Sequence, residues 1–377
     1  MSIYFDNAAT TVPSETALSA AQKALSLYGN PSSPHAAGVE AKRELEAARK
    51  AFASVVGFNG EEVYFTASGS EANNTAIFGI ASAQKRRSKT VVSTDSEHPS
   101  VDEPLKRLEE EGWEVIRLST KGGSVNLDEL RQALSKPVAL VSVMQVNNET
   151  GAVNNLSAIK QVITESGSGA LLHSDAVQGL LKFKGFKQGY KACDAVSFSA
   201  HKINGLRGAG ALAVRKGVRV LPYVLGGGQE KGLRSGTENL AAISAFAAAA
   251  TDYAKNLEAR HQRIAEIRSF IIDRLGKESF VHFNLPQNSC DGILNLSLLG
   301  QKSETVLNAL SMKGIYVSAS SACSSKKAEN RVLKAFGLPK ELMDGALRIG
   351  ISYTNSIEEA ELFCHELLSF CERKIRK

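Results

Sequence analysis

A short apolar run ends in a cluster of side chains that could carry out nucleophilic chemistry. Val196 and Phe198 alternate with small residues, which is typical of a buried strand, and the run stops at Ser199-Ala-His-Lys202. A lysine at the mouth of a strand can act as an amine nucleophile when removal from water lowers its pKa. Taken alone, the cluster favours an ordinary solvated lysine, because most lysines are exposed.

Polar residues follow several predicted strands, and this pattern changes the interpretation of the lysine. Strands alternate with helices between residues 63 and 214, which is typical of an α/β protein with a doubly wound, mostly parallel sheet. Ligands of such sheets bind at the carboxyl ends of the strands. The polar residues predicted at that edge are His98, Asn148, Asp175, Gln178, Ser199, His201 and Lys202. Together they predict a pocket.

A strand-to-helix turn offers a binding site for an anion. Val63–Thr66 is a predicted strand, and Ser68 and Glu71 have the spacing of a helix capping box. A glycine-containing turn at a helix start presents backbone N–H groups that can hold a phosphate. A helix that is merely well capped has the same sequence pattern.

Composition restricts the class of protein. The chain has 377 residues, which predicts two packed cores, and 43% hydrophobic residues with 31 glycines favour an α/β protein. The net charge of +6 is spread along the chain, so we expect no nucleic-acid partner. The longest apolar run is shorter than the roughly 18 residues typical of a transmembrane helix, so we expect no membrane span.

Cysteine usage and the first residues favour a cytoplasmic protein. The five cysteines are odd in number and form no CxxC pair, which argues against a disulfide framework or a zinc site. Residues 1–7 have neither the basic nor the long apolar region of a signal peptide. We therefore predict a cytoplasmic protein without a bound metal.

The predicted elements divide into two domains. A large domain spans residues 15–255, and a smaller α+β domain comprises residues 256–377 together with residues 1–14. The smaller domain contains Ser318–Lys327, a segment rich in serine and lysine that includes Cys323.

A lysine, an aspartate and a phosphate-binding helix start are the parts that a pyridoxal 5′-phosphate enzyme needs. Asp175 could keep the pyridine nitrogen protonated, so that the ring withdraws electrons, while Lys202 carries the aldehyde and moves protons. His98 could stack on the ring, although a helix-capping histidine would occur in the same place.

The chain resembles the cysteine desulfurases of the NifS-like type, within the class V aminotransferase group. The resemblance covers nearly the whole chain in order, and it is highly specific as a series. Its segments are Tyr4–Thr11, Gly29–Ser33, Glu97-His98, Val146–Glu149, Asp175–Gln178, Ser197–Lys202, Gly226–Thr237, Ser321–Cys323 and Arg348.

The resemblance implies a homodimer of the pyridoxal-phosphate transferase fold type I. Lys202 corresponds to the cofactor-linked lysine, Asp175 to the partner of the pyridine nitrogen, and Gln178 to the partner of the ring hydroxyl. His98 corresponds to the stacking histidine and Asn148 to a further cofactor contact. Phosphate contacts correspond to Gly69, Ser70, Ser199 and His201, with Thr237 from the second subunit. Arg348 corresponds to the arginine that binds the substrate carboxylate, with Asn30 as a helper.

The resemblance also implies that L-cysteine is the substrate and that Cys323 receives its sulfur as a persulfide. L-alanine would leave, and the sulfur would pass to an acceptor protein, such as a scaffold for iron–sulfur clusters or a thiolation pathway. We expect Lys326 and Lys327 to lower the pKa of the Cys323 thiol.

Departures from the family pattern leave alternatives open. Ser70 stands where a threonine is usual, and Asn204-Gly-Leu-Arg207 replaces the usual tyrosine-glycine-proline-lysine. A selenocysteine lyase or another class V aminotransferase would use the same cofactor site, although an aminotransferase has no need of Cys323. A non-catalytic scaffold that binds sulfur acceptors is the alternative outside enzyme chemistry.

Overall fold

The computed structural model describes residues 2–319 and 330–375, and its strands form one large sheet and two smaller ones. The strands are β1 (Ile3–Tyr4), β2 (Val63–Thr66), β3 (Thr90–Thr94), β4 (Glu114–Leu118), β5 (Leu140–Ser142), β6 (Leu171–Asp175), β7 (Ala195–Ser199), β8 (Gly210–Val214), β9 (Val281–Phe283), β10 (Ile293–Leu298), β11 (Ile315–Tyr316), β12 (Ser318–Ala319) and β13 (Ala346–Gly350).

Helices cover these sheets and connect their strands. They are α1 (Glu15–Leu25), α2 (Ala36–Val56), α3 (Gly69–Gln84), α4 (Pro99–Glu110), α5 (Leu127–Ala133), α6 (Leu156–Ser166), α7 (Phe186–Ala192), α8 (Leu240–Lys255), α9 (Leu257–Leu275), α10 (Ser303–Ser311), α11 (Arg331–Phe336), α12 (Lys340–Asp344) and α13 (Ile357–Ile375).

The large sheet has the strand order β2-β8-β7-β6-β5-β3-β4 within the described residues. The neighbouring pairs from β7 to β4 are parallel, and β8 runs antiparallel to both of its neighbours. Hydrophobic side chains pack on both faces: Phe52 of α2 lies 5.5 Å from Phe198 of β7 and 4.4 Å from Phe246 of α8, measured between ring centroids. The predicted mostly parallel, doubly wound sheet is confirmed.

The smaller sheets bring the two ends of the described chain together. β12, β13, β10 and β9 form an antiparallel sheet, and β1 pairs in parallel with β11, with Ile3 opposite Ile315. Phe5 and Phe363 pack with their ring centroids 5.6 Å apart, in a core separate from that of the large sheet. The smaller α+β unit is thus confirmed, while the exact domain bounds stay a prediction.

The start of α4 differs from the sequence expectation. We predict a start at Pro104, whereas the helix starts at Pro99 and includes Pro104. Pro99 suits the first helical position because its missing N–H would have no helical partner there. Pro104 cannot donate to the carbonyl of Ser100, and the side chain of Asn74 donates to that oxygen instead, at 3.4 Å.

The start of α3 is fixed by side-chain caps. The Oγ atom of Ser68 accepts from the N–H of Glu71 at 3.1 Å, as the capping box predicts. The carboxylate of Glu71 accepts from the N–H of Ala67 at 3.0 Å, one residue before the cap. The helix therefore begins at Gly69, earlier than its apolar pattern from Thr75 indicates.

No helix within the two described ranges has the length and apolar character needed to cross a bilayer. In the same ranges, no three His, Cys, Asp or Glu side chains are grouped so as to hold a metal ion.

Candidate active site

A cavity of about 310 Å³ opens at the carboxyl ends of β5, β6 and β7 and at the start of α3. It is lined by most of the residues that the sequence predicts for the site. Those residues are Gly69, Ser70, His98, Asn148, Asp175, Gln178, Ser199, His201, Lys202 and Arg348.

Lys202 follows β7 and points its amine at the backbone of the N-terminal segment. Its Nζ atom donates to the carbonyl oxygens of Ala8 and Ala9, both at 2.7 Å. Burial lowers the pKa of Lys202 to about 7, and the charges of Lys182 and Arg348 act in the same direction. A substantial fraction of the amine is therefore neutral near pH 7, which is the form that attacks a carbonyl carbon.

Asp175 ends β6 and is held by two donors. Its Oδ2 atom accepts from the side chain of Asn73 at 2.7 Å, and its Oδ1 atom accepts from the N–H of Val177 at 2.9 Å. Asn73 lies on α3 and also donates to the Oγ atom of Ser100, at 2.9 Å. The carboxylate is thus fixed in place, with lone pairs left for a protonated nitrogen in the cavity.

His98 caps α4, and its ring is exposed to the cavity. The N–H of Ser100 donates to its Nδ1 atom at 3.1 Å, so the proton of the neutral ring is on Nε2. Burial by the surrounding protein lowers the pKa of His98, with Lys202 also lowering it and Asp175 opposing. A neutral ring of this kind can stack on a planar ligand.

The start of α3 approaches β7 closely because Gly69 has no side chain. A Cβ atom at Gly69 would lie 2.6 Å from the Cγ2 atom of Val177 and 3.2 Å from the Cβ atom of Ser199. The helix N-terminus, with its partial positive charge, thereby faces the cavity beside Ser199 and His201. This arrangement suits a phosphate group.

The two Nη groups of Arg348 on β13 are surrounded by acceptors, whereas its Nε atom is buried without a hydrogen-bond partner among the described residues. Its Nη1 atom donates to the backbone oxygen of Asn148 at 3.1 Å and to the carboxylate of Glu149 at 2.9 Å. Its Nη2 atom donates to the carboxylate of Asp6 at 3.2 Å and to the hydroxyl of Ser318 at 3.0 Å. A substrate carboxylate must therefore displace one of these acceptors, because both Nη groups are already engaged.

Three predicted site residues lie elsewhere or outside the described ranges. Asn30 is exposed on the loop between α1 and α2, where its side chain accepts from the N–H of Ser32 at 2.9 Å. Thr237 is exposed just before α8. Cys323, with Lys326 and Lys327, is not among the described residues. A single chain does not bring Asn30 or Thr237 to the cavity.

The structure gives site contacts to residues for which the sequence analysis proposes no role. Besides Asn73, it places Lys182 against Gln178, with 2.8 Å between the Nζ and Oε1 atoms. Glu97 is buried next to His98 and accepts from Thr94 and from the N–H of Met144, and burial raises its pKa to about 8. The sequence signal for Lys182 is a lysine directly after the apolar residues Leu180 and Leu181, and Glu97 belongs to the Glu97-His98 segment of the family resemblance.

The cavity fits the predicted cofactor. An amine with a lowered pKa, a fixed carboxylate, a neutral histidine ring and a helix start that is open at Gly69 are the groups that pyridoxal 5′-phosphate needs. The Oδ1 atom of Asn148 is buried without a partner among the described residues, which leaves an acceptor for a ligand.

Comparisons with known proteins agree with this geometry. The family described as "Aminotransferase class-V" matches residues 3–363. A NifS/IcsS protein homolog of Lactobacillus delbrueckii subsp. bulgaricus is 40% identical over 366 residues, which are 96% of this chain and 95% of the relative. The cysteine desulfurase IscS of Dictyoglomus turgidum is 35% identical over 364 residues, covering 95% and 91% of the two chains. A solved structure of a NifS-like protein has a TM-score of 0.92 at 33% identity, covering 98% of this chain and all of the other.

Proposed function

The chain belongs to the class V aminotransferase family, and we propose that it is a cysteine desulfurase dependent on pyridoxal 5′-phosphate. The reaction converts L-cysteine to L-alanine and leaves the sulfur on the enzyme as a persulfide. The observation that carries this proposal is the cavity in which the Lys202 amine, with its lowered pKa, faces the fixed carboxylate of Asp175.

Several residues that line the cavity would hold the cofactor. Asp175, positioned by Asn73, would hold the proton of the pyridine nitrogen, and Gln178 would donate to the ring hydroxyl. His98 would cover one face of the ring. The phosphate would lie against Gly69, Ser70, Ser199 and His201 at the start of α3, and Asn148 would make a further contact.

Lys202 moves protons during the reaction. When bound, the cofactor supplies an aldehyde that condenses with amines and a ring that withdraws electrons from the substrate Cα. The neutral amine of Lys202 removes the proton from that carbon, and its conjugate acid returns one to the product. A pKa of about 7 suits both directions of this transfer.

Arg348 binds the substrate carboxylate. The two Nη groups form a planar fork, which matches the two oxygens of a carboxylate. Substrate binding exchanges one protein carboxylate, most directly that of Asp6 at 3.2 Å, for the carboxylate of L-cysteine.

Cys323 is the sulfur acceptor in this proposal, which rests on its match to the family motif. Its thiolate attacks the substrate sulfur, so that an S–S bond forms as the Cβ–S bond breaks. The electron pair of the broken bond ends on Cβ, which takes up a proton, and L-alanine is released. The sum is one thiol plus L-cysteine giving one persulfide plus L-alanine, and no external oxidant is needed.

A homodimer would explain where Asn30 and Thr237 act. Large apolar side chains are exposed around α1, on α2 and next to the glycine-rich loop Gly226–Thr237. These include Val12, Leu18, Leu25, Tyr28, Val39, Tyr223 and Leu225. Such a pattern is typical of subunit interfaces. Thr237 lies on the same glycine-rich stretch and would reach the cavity of a second copy.

Mixed dimers test this arrangement. Lys202→Ala and Thr237→Ala chains are each expected to be impaired alone. Mixing them, with subunit exchange, should restore one complete site, since Lys202 and Thr237 then come from different chains. Light scattering gives the oligomeric state, and a monomer or an absence of restored activity would contradict the shared site.

The acceptor of the sulfur and the compartment are also part of the proposal. An acceptor protein, such as an iron–sulfur scaffold or a thiolation enzyme, would take the sulfur from Cys323. Four cysteines in the described ranges are buried free thiols, which suits the reducing cytoplasm.

The decisive experiment measures alanine and sulfide from L-cysteine with the wild type and with Cys323→Ala. The wild type should form both products, and the variant should form little alanine. Alanine formation that is unaffected by the substitution would remove Cys323 from the mechanism. No alanine from the cofactor-loaded wild type would contradict the desulfurase, and a preference for selenocysteine would favour the lyase.

A further inference from the structure

A second lysine lies beside the cavity without a counter-charge. Lys182 donates from its Nζ atom to the Oε1 atom of Gln178 at 2.8 Å. Within residues 2–319 and 330–375, no carboxylate lies within 4.0 Å of its amine. The side chain of Lys182 is half-buried, and burial lowers the pKa of its amine to about 8, so the amine is mostly charged near pH 7.

Lys182 determines how the carboxamide of Gln178 is oriented. An ammonium group only donates and a carbonyl oxygen only accepts, so the amide between them has one satisfactory orientation. Its Oε1 atom faces Lys182, and its Nε2 atom donates to the carbonyl of Ala8 at 2.7 Å. The second N–H of Nε2 remains for a ligand in the cavity that Gln178 lines.

The same carbonyl oxygen of Ala8 accepts from Lys202 at 2.7 Å. Lys182, Gln178, Ala8 and Lys202 are therefore joined by a continuous series of hydrogen bonds. Loss of the Lys182 donor would release the carboxamide of Gln178, which shares the Ala8 carbonyl with Lys202.

The charge of Lys182 also acts on Lys202. After burial, it is the leading cause of the lowered pKa of Lys202, ahead of Arg348. The acidic groups that oppose this shift are Asp6 and Asp175. The neighbouring histidines, His98 and His201, both have lowered pKa values and are neutral near pH 7.

The backbone around Lys182 has an unusual conformation. Leu181, the preceding residue, has a φ angle of +61°, in the left-handed region that non-glycine residues rarely adopt. The thiol of Cys290 donates to the carbonyl of Lys182 at 3.2 Å. On its other side, Lys182 lines a separate surface cavity with Lys184, Glu258, His261 and Asp291.

We propose that Lys182 is a positioning residue of the desulfurase: it fixes the carboxamide of Gln178 toward the cofactor and places a positive charge at the other end of the hydrogen-bond series that reaches Lys202. The inference rests on the proposed function for the identity of the cofactor, whereas its effect on Lys202 is a property of the protein alone. Lys182 acts through Gln178 and Lys202 and does not contact the substrate.

Three substitutions separate orientation from charge. Lys182→Met removes the donor and the charge, Lys182→Gln keeps an N–H donor without charge, and Lys182→Arg keeps both. The matched control is Lys184→Met, because Lys184 is 73% exposed, lies two residues away and pairs with Glu258 on the surface.

The first measurement uses the full chain after removal of the cofactor. Acetic anhydride labels neutral amines, and mass spectrometry gives the pH at which Lys202 is half-labelled. Lys182→Met and Lys182→Gln should raise this pH by about one unit, a tenfold gain in proton affinity. Lys182→Arg and Lys184→Met should leave it within a few tenths of a unit. An unchanged value in both uncharged variants would overturn the electrostatic role.

The second measurement uses the cofactor-loaded protein. Lys182→Met should bind pyridoxal 5′-phosphate about tenfold more weakly, as expected for a lost amide contact, and Lys182→Gln should retain most of the affinity. Equal affinity in the wild type and Lys182→Met would overturn the orienting role. If Lys182→Met does not fold, the Gln and Arg variants still decide the question. The labelling requires neither cofactor nor L-cysteine, so failure of the desulfurase assay would not be mistaken for failure of this inference.

Discussion

The floor of the cavity and its rim handle charge in different ways. By the floor we mean Lys202, Asp175 and Gln178, which line the cavity, with Asn73 bound to Asp175; their reactive groups bond to backbone or amide groups. The rim consists of Arg348 with Asp6, Glu149 and Ser318, where the cation already lies against two carboxylates.

This difference in charge separates the groups that transfer protons from the groups that bind the substrate. On the floor, no carboxylate of the described residues forms an ion pair with Lys202, so burial and nearby cations lower its pKa and prepare a nucleophile. On the rim, ion pairs engage both Nη groups of Arg348 until a substrate carboxylate replaces one of them. The affinity for substrate is then the difference in free energy between two ion pairs of Arg348, one with the substrate carboxylate and one with a protein carboxylate. Small changes in the protein carboxylates can therefore tune it.

Removing the floor nucleophile should have the largest effect. Lys202→Ala is expected to lower the rate of alanine formation by about 10⁴-fold or more, because among the described residues no other lysine lines the cavity to move the Cα proton. Steady-state alanine release measures this, with Lys184→Met as the surface control. A loss below about 10-fold would show that Lys202 is not the nucleophile.

The buried acid beside the floor should make stability depend on pH. The pKa of Glu97 is raised from 4.5 to about 8 in the folded protein, so between these values the folded state binds a proton that the unfolded state has released. The free energy of unfolding therefore falls as the pH rises from 5 to 8, by up to about 4 kcal/mol from this group.

Glu97→Gln should abolish that part of the pH dependence. Urea denaturation at pH 5.5 and at pH 8 gives the comparison, with the exposed Glu103→Gln as the control. The same pH slope in wild type and Glu97→Gln would show that Glu97 is ionised in the folded protein.

On the rim, Arg348→Lys should weaken substrate binding by about 100-fold, mainly through KM. The charge remains, but the two-pronged contact with a carboxylate is lost, at a cost of about 2–3 kcal/mol. Kinetics with L-cysteine measure the change, and Arg117→Lys, on the surface pair with Glu109, is the control. A change confined to kcat would place Arg348 in the chemical step instead.

Asp6→Asn should have the smallest effect and the opposite sign. It removes one competing carboxylate from Arg348, so KM is expected to fall about fivefold, the scale of a partly exposed ion pair. Isothermal titration with L-alanine, the product that retains the carboxylate, provides an independent readout. Weaker binding in Asp6→Asn would mean that Asp6 positions Arg348 for the substrate and does not compete with it.

The sequence by itself determined the local features of this protein. The alternation of strands and helices predicted the mostly parallel sheet. The polar residues that follow those strands predicted Lys202, Asp175, Gln178 and His98 as site residues. The capping pair Ser68 and Glu71 located the helix start at the cavity. These features depend on near neighbours in the chain, because strand periodicity, caps and turns act over a few residues.

Only the tertiary structure decided which groups bond to one another across the site. Asn73 and Asp175 are 102 residues apart, and Arg348 and Asp6 are 342 residues apart. The parallel bridge between Asp6 and Gly350 places Asp6 beside Arg348, and the hydrogen bond from the N–H of Thr11 to the carbonyl of His201 ties the segment with the Ala8 and Ala9 carbonyls to the residue before Lys202. No spacing rule encodes such contacts, since a hydrogen bond requires a partner within about 3 Å in space, wherever it lies in the chain.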